Sequence, residues 1–302
     1  MLQSHYLYFL KHNIQSRLFK KRNALLAGMK ITYRCNLRCK ACPFWRRENH
    51  SISYKSACDM MDNFFKNGVR LLIFEGGEPF LWQDGDRTLE ELVCYAKNKF
   101  FCTGITTNGM LAIKTSADIV WVSMDGFAET HNKNRGNSFD KVIENIKRSE
   151  HPKIMANITI NRLNYLEIPE LVEYLASIVK GITIQFYYPF PNSDDLSLTE
   201  EQRVSVLNEL ILLKKSGFPV FHSYTTLNDL KYNSWTCHPW LIASGEPDGQ
   251  ESYGCYLQNR AKISCEKCGF AAHTEISKAY DWTIQSIWNG RKIFIFKLID
   301  IK

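Results

Sequence analysis

Apolar positions change their period along this chain, and each change marks an element. Over residues 4–23, Leu7, Leu10, Ile14 and Leu18 recur at three- and four-residue spacing, with Tyr6 and Phe9 widening the stripe. That period predicts an amphipathic helix, whose cationic remainder is Lys11, Arg17, Lys20, Lys21 and Arg22. From residue 28, strand-like runs follow at Met29–Tyr33, Val69–Phe74, Gly104–Thr107, Ile119–Ser123, Ile154–Ile160 and Ile182–Tyr187. Helical stretches lie between most of them, near 55–66, 87–98, 139–149, 167–179 and 200–216, and Gly68, Gly181 and Gly217 stand where helices should stop. Strands alternating with helices predict an α/β fold with a parallel sheet, either doubly wound or a partial barrel. Beyond about residue 220 the alternation fades into a stretch rich in Cys, Trp, Tyr, Gly and Pro. Three parts are therefore expected: a basic helix over 1–27, an α/β unit over 28–220, and a small irregular Cys-rich region over 221–302.

Composition narrows the class. With 302 residues, 45% hydrophobic and 13% aromatic, the chain can bury a sizeable core. No apolar run approaches the length of a membrane span, and the first basic cluster follows the short apolar stretch Tyr6–Leu10, the reverse of a signal peptide. A cytoplasmic protein is expected. Its ten cysteines are then not a disulfide framework. Cys35, Cys39 and Cys42 cluster early, Cys237, Cys255, Cys265 and Cys268 cluster late, and Cys58, Cys94 and Cys102 are scattered small hydrophobes. The net charge of +7 is uneven: residues 1–50 hold eleven Lys or Arg and one acid, Glu48, a local excess of +10 that leaves −3 for the rest.

Chemistry enters at Cys35-Asn-Leu-Arg-Cys39-Lys-Ala-Cys42, directly after the first strand. Three thiolates at this spacing can wrap one face of an iron–sulfur cubane, which normally takes four, so one iron stays open to a ligand. A zinc knuckle borrowing a distant fourth ligand is the competing use of the same residues. Gly76-Gly77-Glu78-Pro79 ends the second strand, Thr106-Thr107-Asn108-Gly109 the third and Ser123-Met124-Asp125-Gly126 the fourth. Glycine pairs let backbone approach a partner closely, and polar residues at successive strand ends are where parallel α/β folds hold ligands. Each is an ordinary turn or cap when taken singly; four in order are harder to dismiss.

In this order, CNLRCKAC, GGEP, TTNG and SMDG resemble a radical S-adenosylmethionine (SAM) enzyme built on a partial (β/α)6 TIM-type barrel. The resemblance implies that Cys35, Cys39 and Cys42 hold a [4Fe–4S] cluster that cleaves SAM to a 5′-deoxyadenosyl radical. It implies that Gly76, Gly77, Glu78 and Pro79 contact the methionyl part, with Thr107, Asn108, Ser123 and Asp125 near the ribose or carboxylate. It also implies an electron donor such as ferredoxin or flavodoxin. Ala41 departs from the family, which usually has a large apolar residue there against adenine; Phe44 or Trp45 is the expected substitute. The late segments around Cys237, Cys255 and Cys265–Cys268, with Phe221-His222-Ser223, are similar to hopanoid-biosynthesis radical SAM proteins of the adenosylhopane synthase type. That likeness implies an isoprenoid or lipid-like substrate. The four late cysteines suit a second [4Fe–4S] cluster or a zinc ion, with His238 and His273 as spare ligands. Buried thiols are the plainer reading. The basic helix closes the barrel, or lies on an anionic membrane, or binds RNA phosphates; no RNA-binding module is recognisable, so nucleic acid ranks last. Peptide or RNA modification with an auxiliary cluster, and a non-catalytic zinc-stapled binding module, are the alternative functions.

Overall fold

The computed structural model describes residues 5–191 and 195–294. The chain runs α1 (His5–Leu18), β1 (Leu26–Lys30), α2 (Tyr54–Lys66), β2 (Leu71–Glu75), then a small hairpin of β3 (Gln83–Asp84) and β4 (Arg87–Thr88). It continues through α3 (Leu89–Lys97), β5 (Cys102–Thr107), β6 (Ile119–Ser123), α4 (Ala128–Arg135), α5 (Phe139–Arg148), β7 (Ile154–Ile160), α6 (Ile168–Ala176) and β8 (Ile182–Phe186). The last part is α7 (Glu200–Lys215), α8 (Tyr224–Asp229), β9 (Ile242–Gly245), β10 (Glu251–Tyr253), α9 (Ala271–Tyr280) and α10 (Ile284–Phe294).

Six strands, β1-β2-β5-β6-β7-β8, pair in parallel in chain order, as the alternating pattern requires. Their helix-facing residues are fully buried: Met29, Leu72, Phe74 and Ile105 pack under α2 and α3 with Met60, Phe64 and Leu92. Val120, Val122, Ile158 and Ile184 pack under α5, α6 and α7 with Ile146, Leu171 and Leu207. The opposite residues, by strand alternation, face the inside of the curved sheet. At the strands' N-terminal ends that inside is plugged by Leu71, Cys102, Ile119, Trp121 and Met155.

The structure corrects three expectations. β1 ends at Lys30 instead of Tyr33, because Thr32 leaves the sheet to bridge Ser51. The region after 220 is not irregular throughout: β9 adds in parallel to the free edge of β1, β10 pairs back on it, and α8, α9 and α10 follow. β9 was illegible because its sequence, Ile-Ala-Ser-Gly, is mostly small. Small residues are what the place demands; a Cβ on Gly245 would lie 2.3 Å from the sulfur of Met60.

The third correction concerns α1, which is seated the wrong way round for its apolar stripe. His12, Asn13 and Ser16 are buried, while Leu7, Leu10, Ile14 and Leu18 are exposed. Two of the buried polar side chains pair with backbone at the strands' N-terminal ends and at α9: His12 Nε2 pairs with the Asn23 carbonyl at 2.7 Å and Asn13 donates to the Tyr280 carbonyl at 2.8 Å.

Candidate active site

Because all six strands are parallel, their C-terminal ends form one mouth, and every motif singled out above opens there. Inward-facing positions become polar toward this mouth: Lys30, Glu75, Thr106, Ser123, Asn157, Thr159 and Gln185 follow the apolar plug below. Except for Lys30 they are only half-buried, whereas their outward neighbours are buried, so the accessible side of the sheet is its interior.

The loop carrying Cys35, Cys39 and Cys42 is pinned across the mouth by the glycine pair. Gly77 N–H donates to the Thr32 carbonyl at 2.7 Å and Glu78 N–H to the Arg34 carbonyl at 2.8 Å. A Cβ on Gly76 would lie 2.6 Å from the Thr32 oxygen, and one on Gly77 would lie 2.3 Å from that of Arg34. The backbone that these glycines admit is thus the cysteine loop itself. Pro79 then starts a short 3-10 turn, and Glu78 caps it.

Glu78 is fully buried and acts as a bracket. One carboxylate oxygen accepts from Thr107 Oγ1 (2.8 Å) and Phe80 N–H (3.1 Å), the other from Asn108 N–H (2.8 Å). Burial pushes its pKa up to about 7 against these donors. Asn108 is thereby aimed at the loop, its amide donating to Asn36 at 2.7 Å and lying 3.8 Å from Cys35 Sγ. Asp125 is likewise a buried hub, accepting from Arg135 Nε (2.6 Å), Asn134 (2.7 Å) and Thr159 N–H (3.1 Å). Arg135 in turn sets its guanidinium 4.0 Å from Cys39 Sγ. Burial drives the Cys39 thiol up to about 12, with Arg135 opposing. Of the residues picked from the motifs, only Ser123 faces the interior with its side chain half-open; Thr107, Asn108, Glu78 and Asp125 brace the frame.

Sequence reasoning missed Arg135 and Asn134, which lie in a helix without an apolar period, and it missed a buried ionic cluster at the β9–β1–β2 edge of the mouth. There Lys30 Nζ lies 2.5 Å from Glu75 and 2.8 Å from the Tyr256 hydroxyl, under the ring of Phe44. Arg260 pairs with Glu246 and covers the Tyr256 ring. Burial would raise Glu75, but Lys30 and Arg260 outweigh it and hold its carboxyl below the usual range. Phe44 is enclosed by this cluster, whereas Trp45 is half-exposed and donates its ring N–H to the Cys39 carbonyl at 2.9 Å.

The late cysteines fall into one neighbourhood. Burial raises the Cys268 thiol to about 11, and Cys237, Cys255 and Cys265 add to the rise by their charge. His273 is buried against Phe270 and Tyr256, and burial drops its pKa to about 4. His238 is paired with Asp281 at 3.0 Å, so neither histidine joins the thiols. Among the described residues, no three or more His, Cys, Asp or Glu side chains are gathered around a single-ion site.

Compared with known proteins, residues 29–175 match the family model described as the radical SAM superfamily. The chain belongs to the radical SAM superfamily. It is 30% identical over 225 residues to the Fe-coproporphyrin III synthase of Methanosarcina barkeri, covering 67% of this chain and 55% of that protein. It is 27% identical over 228 residues to the tungsten-containing aldehyde ferredoxin oxidoreductase cofactor-modifying protein of Pyrococcus furiosus, covering 66% and 62%. The chain thus spans less than two-thirds of either relative. Among solved structures, Streptococcus suis SuiB bound to S-adenosylmethionine superposes with a TM-score of 0.65 at 17% identity, over 94% of this chain and 70% of that one. That likeness speaks for the fold. A radical SAM enzyme is implied to use a [4Fe–4S] cluster and SAM, and the residues fit: three thiols share one loop, with the Arg135 cation beside them to offset thiolate charge. The hopanoid likeness gains no support from these relatives.

Proposed function

We propose that this radical SAM enzyme acts on a polar, carboxylate-bearing substrate, a cofactor precursor of the tetrapyrrole kind. Cys35, Cys39 and Cys42 hold the [4Fe–4S] cluster, which when bound supplies the electron that cleaves SAM. The strap Gly76–Pro79 keeps the loop in place, and Thr107, Asn108 and Asp125 hold the frame around it. Ser123, Thr106 and Thr159 offer hydroxyls to SAM inside the barrel.

One observation carries the substrate class. Arg260 is buried and its Nη2 has no hydrogen-bond partner, while Nε is spent on Glu246. A buried donor left unpaired is costly, and a substrate carboxylate would satisfy it once the Tyr256 and Phe44 rings that cover this fully buried side chain move aside. An isoprenoid would instead need apolar walls where Lys30, Glu75, Asn157, Thr159 and Gln185 stand. Two relatives point the same way by name, Fe-coproporphyrin III synthase and pre-heme d1 synthase. A peptide is the second reading, supported by the fold shared with SuiB bound to its precursor peptide.

Cys237, Cys255, Cys265 and Cys268 are proposed to bind a second cluster or zinc, because they share one neighbourhood, although they would have to draw together around a single ion. Arg34, Arg38, Lys40 and Arg46 are exposed around the cluster loop, a surface suited to an acidic ferredoxin or flavodoxin.

The test has two readings. Ala at Cys35, Cys39 and Cys42 together should abolish SAM cleavage and leave residual iron or zinc; a metal-free variant would remove the second site. Arg260→Met should raise the KM for coproporphyrin-type carboxylates while uncoupled SAM cleavage persists. An unchanged KM removes the proposed substrate class.

A further inference from the structure

The fold divides the basic N-terminal fifty residues between opposite ends of the barrel. Arg34, Arg38, Lys40, Arg46 and Arg47 stand at the mouth, and Lys30 is buried inside. Lys11, Arg17, Lys20, Lys21 and Arg22 stay at the base, where α1 lies against Gly68, Phe101 and Tyr280. At that base α1 turns its apolar stripe to solvent: Leu7, Leu10, Ile14, Leu18 and Phe19 are 43–74% exposed.

A second helix repeats the inversion. α10 buries Ser286, Asn289 and Ile293 and exposes Ile284 (81%), Ile287 and Trp288 (53%). Its base location is fixed by Lys153, just before β7, whose ammonium caps the carbonyl of Lys292 at 2.7 Å. α9 links the two helices: Asn13 and Arg17 of α1 bind the Tyr280 carbonyl at its C-terminal end, α10 packs beside it, and Trp282 between α9 and α10 is 51% exposed. Two helices that bury uncharged polar residues while leaving several large apolar ones exposed are unusual in water.

We infer that this base is a docking face for an anionic lipid bilayer. Aliphatic and aromatic side chains at the centre, with lysines and arginines around them, are what the headgroup boundary accepts. The exposed cations include Lys11, Lys20, Lys21, Arg22, Arg291 and Lys292. Asp281, the acid beside α1, is occupied by Arg17 and His238. A second copy fits worse, because a two-fold contact would set the same lysines and arginines against each other. The mouth faces away from the bilayer, so docking fixes the enzyme's location and does not extract a lipid substrate.

The full chain should sediment with phosphatidylcholine vesicles containing about one-third phosphatidylserine and not with phosphatidylcholine alone, at low salt. Lys20→Glu/Lys21→Glu/Arg22→Glu should weaken that binding at least about tenfold. Leu18→Gln/Phe19→Gln/Trp288→Gln should remove the part that survives added salt. These positions are exposed, so unchanged circular dichroism and iron content in both variants would show an intact barrel. Binding is read without turnover, so it is independent of the substrate proposed above. Wild-type protein left in the supernatant with anionic vesicles would overturn the inference. So would a wild-type dimer that Leu18→Gln/Phe19→Gln/Trp288→Gln makes monomeric, since the face would then belong to a second copy.

Discussion

The Tyr33 hydroxyl donates to Glu246 across 2.5 Å, joining the start of the cluster loop to the end of β9. Arg47 reaches the same hydroxyl at 3.0 Å, and Arg260 holds the other Glu246 oxygen. The C-terminal region is therefore tied to the cluster loop by buried charge. Replacing Glu246 with Leu leaves Arg260 an unpaired cation with a fully buried side chain. Such a loss should lower the unfolding free energy by about 3–5 kcal/mol, and proteolysis should reach residues 246–270 before the barrel. A midpoint in urea equal to wild type would show that the tie bears no load.

Gly77→Ala sets a methyl against two carbonyl oxygens of the cluster loop, at 2.3 and 2.6 Å. The loop must shift, since backbone cannot yield as a side chain tip can. Barrel circular dichroism should persist while anaerobic reconstitution delivers much less iron. Full iron loading would mean that the strap tolerates the shift.

Glu78 gives the apoprotein a pH signature. Its folded pKa is about 7 against an ordinary 4.5. Between those values the folded chain keeps a proton that the unfolded chain releases, so stability falls as pH rises. The linked loss is roughly 3 kcal/mol, complete above the folded pKa. Glu78→Gln should flatten that slope in denaturation curves compared at about pH 5 and about pH 8. A slope retained in the variant would assign it to other groups.

Arg135→Gln strips Asp125 of its charge partner and Cys39 of its nearest cation. Asp125 is 1% exposed, so the expected cost is again about 3–5 kcal/mol. Arg135→Lys should recover part of it without the fork geometry. Thermal melting of the three proteins decides the matter; indistinguishable melts would refute the pairing.

What the sequence disclosed was whatever repeats with a period. Strands at Ile119–Ser123 and Ile154–Ile160 lie where the apolar pattern put them, and the radical SAM motifs mark the mouth. β9 stayed hidden because close packing on Met60 selects small residues over a hydrophobic alternation. Glu78 and Asp125, expected at the cofactor, also hold backbone amides, Thr107, Asn134 and Arg135, ties that motif order does not reveal. α1 misled for a further reason: its period is helical, but burial follows the polar face, because unsatisfied carbonyls at Asn23 and Tyr280 await donors there.

The apolar plug of Leu71, Cys102, Ile119, Trp121 and Met155 seals one end of the barrel. Nothing passes through that end, so whatever enters on the mouth side must also leave on that side. Two molecules sharing it queue: the deeper one boards first and departs last. Turnover should follow a compulsory order, with product inhibition that is competitive against one reactant and not the other.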